Sequence, residues 1–99
     1  MSEDNSIEIA RQDGEEFRSV RLRIEGGGIV MDAQDMGPIV KRTWDHEDYE
    51  FGVRLAPDAV ARLAFELLKD KFTGDTGAVD KLRDYCKQRG IEHKWESWP

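Results

Sequence analysis

The residues with the most capacity for chemistry lie in Trp44 to Glu50, WDHEDYE. Asp45, His46, Glu47 and Asp48 all carry oxygen or nitrogen ligands suited to a divalent cation. They are consecutive, however, and consecutive residues of a strand or helix cannot all face one point. The second histidine, His93, is not at ligand spacing, and the glycine pattern of a calcium loop is absent. The run therefore reads first as a solvated acidic loop. With Asp32 and Asp35 just upstream it would form a carboxylate-rich rim if the fold brought them together. A catalytic reading would pair Cys86 as nucleophile with His93 or His46 as base. Cys86 falls on the apolar face of a helical pattern, far from that helix's N-terminus, where nothing lowers its pKa. It reads as a small core residue. No nucleophile elbow, dinucleotide fingerprint or zinc motif occurs, so an enzyme is not expected, and neither is a cofactor or bound metal.

Two further patterns invite an anion-binding reading. Arg21 and Arg23 share one face of a strand pattern, where pairing with Glu8 or another acidic neighbour is the simpler expectation. Gly26-Gly27-Gly28 follows that strand, but Ile29 to Ala33 continues as another strand rather than as a phosphate-binding helix. The glycines read as a hairpin loop. Trp44, Trp95 and Trp98 are many tryptophans for 99 residues. Tryptophan is rarely wholly buried and is enriched at interface hot spots. Trp98 is accordingly weighed as a contact residue or as a lid on the fold.

The elements that must position these residues are legible in the hydrophobic period. Tyr49, Phe51, Val53 and Leu55 alternate with Glu50, Gly52 and Arg54, as in a half-buried strand. At Ala56-Pro57-Asp58 the period changes. Val60, Leu63, Ala64, Leu67 and Leu68 then recur at helical spacing, with Pro57 suited to the first turn. Leu63, Leu67 and Leu68 are expected in the core. Upstream, Ile7 and Ile9 suggest a short strand, Asp13-Gly14 a two-residue hairpin turn, and Val20, Leu22 and Ile24 the return strand. Gly37-Pro38 to Trp44 fits a short helix, by the spacing of Ile39, Val40, Thr43 and Trp44, or else an extended strand. Downstream, Asp75 or Thr76 caps a second long helix, with Ala78, Val79, Leu82, Tyr85 and Cys86 on its apolar face. Gly90 terminates it in the left-handed conformation, Ile91 folding back towards Cys86. Ile91 to Trp98 reads as a last strand. The order predicts one α+β domain over 1–99, frayed at 1–6: a mainly antiparallel sheet of about five strands with two C-terminal helices on one face.

The net charge is −6. Residues 1–50 hold 13 acids and 6 bases, a net −7, so the acidity is concentrated in the first half. Such a balance disfavours nucleic acid and anionic membrane as partners and favours a basic protein. The single cysteine fits a reducing cytoplasm. The polar start lacks a signal-peptide pattern, and no apolar run reaches membrane-spanning length.

The pieces Gln34-Asp35-Met36-Gly37-Pro38, Asp48-Tyr49-Glu50-Phe51, Gly90-Ile91 and Trp95 to Trp98 resemble a group of small uncharacterised bacterial proteins. These share a QD-x-G turn, a YE strand and a terminal GI…SW. The resemblance implies a common fold and carries no activity, cofactor or site. Small, acidic, cytoplasmic chains without catalytic motifs share the profile of immunity proteins, antitoxins and phage anti-defence inhibitors. The functional expectation is such an inhibitor, docking Trp44, Asp45, Glu47, Asp48, Asp32, Asp35 and Trp98 on a basic protein. The alternatives are a homo-oligomeric accessory protein, a homodimer for instance, and a small ligand- or metal-binding domain.

Overall fold

The computed structural model describes residues 5–44 and 48–99, and Trp44 by its backbone alone. The chain divides into two compact units, residues 1–64 and 65–99. The elements are β1 (Ser6–Gln12), β2 (Phe17–Glu25), β3 (Gly28–Met36), α1 (Pro38–Trp44), β4 (Asp48–Leu55), α2 (Pro57–Phe72) and α3 (Ala78–Arg89). The class is α+β. The described residues hold four strands, not the expected five, and α1 adds a third helix to the two C-terminal ones.

The first unit contains the sheet, an antiparallel meander in the order β1-β2-β3-β4. Its hairpins follow from local chemistry. Gly26 and Gly27 both have positive φ, 59° and 81°, which a two-residue turn between right-twisted strands requires. Gly28 itself already belongs to β3. The β1–β2 connection is longer than the expected Asp13-Gly14 turn and runs over residues 13–16. A register shift between Glu8 and Ala10 marks a bulge in β1.

The register sorts side chains into two unlike faces. Ile7, Leu22, Met31 and Val53 stand opposite one another across the four strands. Val20, Ala33 and Phe51 form a second apolar row, and Ile24, Ile29 and Leu55 a third. The charges in the register on this face are Arg18 and Asp35, which close on each other through two bonds of 2.6 Å. Arg18 also lies over the Phe51 ring, 5.2 Å from its centroid, and Phe51 stacks on Tyr49 at 5.5 Å. The other face is polar. Arg23 bonds Asp32 at 2.5 Å and Glu25 at 3.0 Å, and Arg54 reaches Glu25 at 2.7 Å. Arg21 donates to Ser6, while Glu8 accepts from Ser19 and Arg11. Arg23 thus pairs with acidic neighbours, as expected, while Arg21 bonds the Ser6 hydroxyl on the neighbouring strand. Val30 is nevertheless only 4 % exposed on this polar face. It is flanked in register by Arg23 and Arg54, whose apolar stems can cover it while their heads stay wet.

In α1, Val40 is buried, and Lys41 N–H bonds the Gly37 carbonyl. The helical alternative for 37–44 is therefore the one adopted.

In the second unit, α3 ends as expected. Gly90 adopts φ 65°, Gly90 N–H bonds the Lys87 carbonyl, and Ile91 N–H bonds that of Cys86. This is the paired closure of a Schellman motif. The N-cap is Gly77 rather than Asp75 or Thr76. Asp75 instead ties the turn, accepting from Gly77 N–H at 2.9 Å and Lys81 Nζ at 2.7 Å. Cys86 is half-buried. Residues 91–99 form no strand. A strand needs a ladder partner, and this segment turns instead onto α3, where Arg83 lies 4.4 Å from the Trp95 ring centroid. No residue of α2 or α3 is buried. Leu67 is 59 % exposed and Leu68 is also exposed, so neither is the core residue its spacing suggested. No helix among the described residues is long and apolar enough to cross a membrane.

Candidate functional site

The candidate site lies at the end of the sheet where β2 begins and β3 ends. Phe17 pairs with Met36, and Met36 with Asp48 at the start of β4. That register carries the β1–β2 turn, with its acids Asp13, Glu15 and Glu16, to the start of α1. Gly37 makes the approach possible. Its φ is 139°, and a Cβ there would stand 2.3 Å from the Glu15 carbonyl oxygen, so only glycine fits. Glu16 completes the junction by accepting the Ile39 N–H at 3.1 Å through Oε1.

A cavity of about 360 Å³ opens at this junction. Gln12, Glu16, Phe17, Arg18, Asp35, Ile39 and Val40 line it. Its walls combine apolar surface, from Phe17, Ile39 and Val40, with two carboxylates. These are not equivalent. Asp35 is tied to Arg18, whose hydrogen bonds and charge hold its carboxyl below the usual aspartate range. Glu16 has one oxygen on a backbone N–H. The Phe17 ring already lies under Arg11, 4.8 Å from its centroid, so a concavity of this composition fits a cationic side chain with its stem along Ile39 and its head at Glu16.

The residues singled out from sequence are distributed as follows. Asp35 lines the cavity. Asp32, three residues earlier on the same strand, points to the opposite face and pairs with Arg23. The two do not share a rim. Asp48 opens β4 and is exposed. Trp98, in the second unit, is 80 % exposed. Asp45, Glu47 and the Trp44 side chain lie outside the described residues, as does His46. Among the described residues, no group of three or more histidine, cysteine, aspartate or glutamate side chains is arranged to hold a metal ion. His93 Nδ1 lies 2.8 Å from its near neighbour Ile91's carbonyl oxygen. Glu16, Gln12 and Phe17 are hidden in the sequence because Asp13-Gly14 predicts a plain two-residue hairpin there. The signal available was the acidic pair Glu15-Glu16 before a strand whose register leads back to Gly37.

No family model, curated protein or solved structure matches this chain.

Proposed function

We propose that this chain is a small acidic inhibitor-type binding protein, without chemistry of its own, that docks on a basic protein in the cytoplasm. The observation that carries the reading is the cavity where the β1–β2 turn meets α1. Its apolar wall and Glu16 carboxylate suit a partner's lysine or arginine. Asp48, at the same end of the sheet, extends the acidic surface. Asp35 takes part as a neutralised wall through Arg18, not as a free charge. Docking of this kind matches an acidic patch to a basic one, which raises association rate and fixes register.

The test uses the tagged full chain to capture its partner from native cytosol, followed by kinetics on the purified pair. Glu16→Gln keeps the acceptor for Ile39 N–H while removing the charge. Combined with Asp48→Asn, it is expected to slow association about tenfold and flatten the salt dependence. Unchanged association rate and salt slope would remove the acidic end from the contact.

A further inference from the structure

We infer that the apolar face of the sheet is an interface with a second copy of this chain, formed sheet against sheet. This rests on the apolar rows of the sheet rather than on the sheet-end cavity, which meets this face at Arg18 and Asp35. Five residues of the apolar rows, Ile7, Ile24, Met31, Phe51 and Val53, are exposed, Val53 at 63 % and Met31 at 44 %. Met31 and Val53 are direct register partners, and the less exposed Leu22, Ile29 and Ala33 join Ile7, Ile24 and Phe51 to them across β1 to β4. Soluble chains rarely leave a continuous apolar patch beyond a few hundred Å² open to water.

Charge selects the occupant. The chain carries −6, so two copies repel unless they meet where neither presents net charge. The apolar face meets that condition. Its Arg18 and Asp35 neutralise each other in a two-bond pair, while Glu8, Glu25, Asp32 and Glu50 belong to the opposite face. A neutral, apolar, twisted sheet is self-complementary under a two-fold axis, the arrangement most homodimers use. Two such faces pack with strands about 30° apart and side chains interdigitated. Four strands about 4.8 Å apart, over the roughly six residues of each that lie clear of the cavity end, at about 3.4 Å each project on the order of 400 Å² per copy. The two faces together reach about 800 Å², the size of a weak, reversible association. In the resulting dimer the charged faces point outward.

Sedimentation equilibrium of the full chain over 5–200 μM (about physiological salt) tests this. The expected result is twice the chain mass, with a Kd inside or below that range. Val53→Glu and Met31→Glu each place a carboxylate at an already exposed position and are expected to weaken self-association at least about 100-fold, since like charges then meet across the two-fold. Arg54→Glu, on the polar face of the same strand as Val53, is expected to leave it unchanged. Isotope-filtered NOEs in a mixed labelled and unlabelled wild-type sample need no variant to fold. Intermolecular contacts of the Met31 methyl with Phe51 or Val53 are expected. A single-chain mass throughout, a dimer lacking those contacts, or a dimer indifferent to both glutamates would overturn the inference.

Discussion

Gly52→Ala offers a test of the sheet in which the sign of the effect is at stake. Gly52 stands opposite Asp32 in the β3–β4 ladder. A Cβ built there would lie 2.6 Å from the Asp32 Cβ, 2.8 Å from the Met31 carbonyl oxygen and 3.0 Å from the Asp32 Cα. None of these atoms is the free end of a flexible side chain. Carbon atoms prefer about 3.5–4.0 Å, so the strands must open locally by about 1 Å. Overpacking of this kind costs about 1–3 kcal/mol. Against it stands the ordinary gain of alanine over glycine inside a strand, about 0.5–1 kcal/mol. The net expectation is a loss of roughly 0–2.5 kcal/mol, about 1 kcal/mol at the centre of that range. In a domain of this size that lowers Tm by several degrees. Urea unfolding followed by far-UV circular dichroism measures it. The Asp32–Arg23 bond should loosen too, because the clash falls on the Asp32 Cβ. A variant more stable than the parent would show that Gly52 is not demanded by the approach of β3 and would refute the reasoning.

Val30→Ala removes two methyl groups from one of the few buried side chains and should cost about 2 kcal/mol in the same urea assay. Leu67→Ala, by contrast, truncates an exposed side chain and should stay within about 0.5 kcal/mol of the parent. Gly90→Ala meets no atom within 4 Å but forces φ 65° on a residue with a Cβ; it should cost about 1–2 kcal/mol and speed amide exchange at Ile91. Acid titration should show the native state outlasting ordinary carboxylate behaviour. Asp35, held low first by the Arg18 hydrogen bonds, and Glu8, held low first by the Ser19 hydroxyl, have folded pKa values below their unfolded ones. Their contribution is complete above the ordinary carboxylate range and is lost as pH falls through the depressed folded values. Asp35→Asn should therefore move the acid-unfolding midpoint upward, and an unmoved midpoint would show that the Arg18 pair carries no stability.

Much of the sheet was legible because period-two alternation is written directly in β2, β3 and β4, and because the glycines after Glu25 leave little choice but a tight turn. The close of α3 was legible for a similar reason: Gly90-Ile91 satisfies a backbone requirement within a few residues. What failed depended on distant pairing. Ile91 to Trp98 has strand-like composition, yet no ladder partner, and Trp95 finds Arg83 instead. Asp32 and Asp35 looked like one acidic cluster in sequence, but an odd separation on a strand sends them to opposite faces. The sheet-end cavity depends on the register between β2 and β3 and on Gly37 admitting the Glu15 backbone. Neither is visible until the hairpins are closed. Leu67 and Leu68 keep a helical period without being buried, since periodicity names a face and not what covers it.

Docking on a basic partner requires the sheet end to accept a cationic side chain. A titration of the ¹⁵N-labelled full chain with a short poly-arginine peptide, followed by amide chemical shifts, tests it most directly. Saturable shifts at Gln12, Glu16, Phe17 and Ile39 are expected, weakened by salt and lost in Glu16→Gln while the rest of the spectrum is kept. Shifts spread over every acidic residue without saturation, or the same shifts in Glu16→Gln, would contradict it.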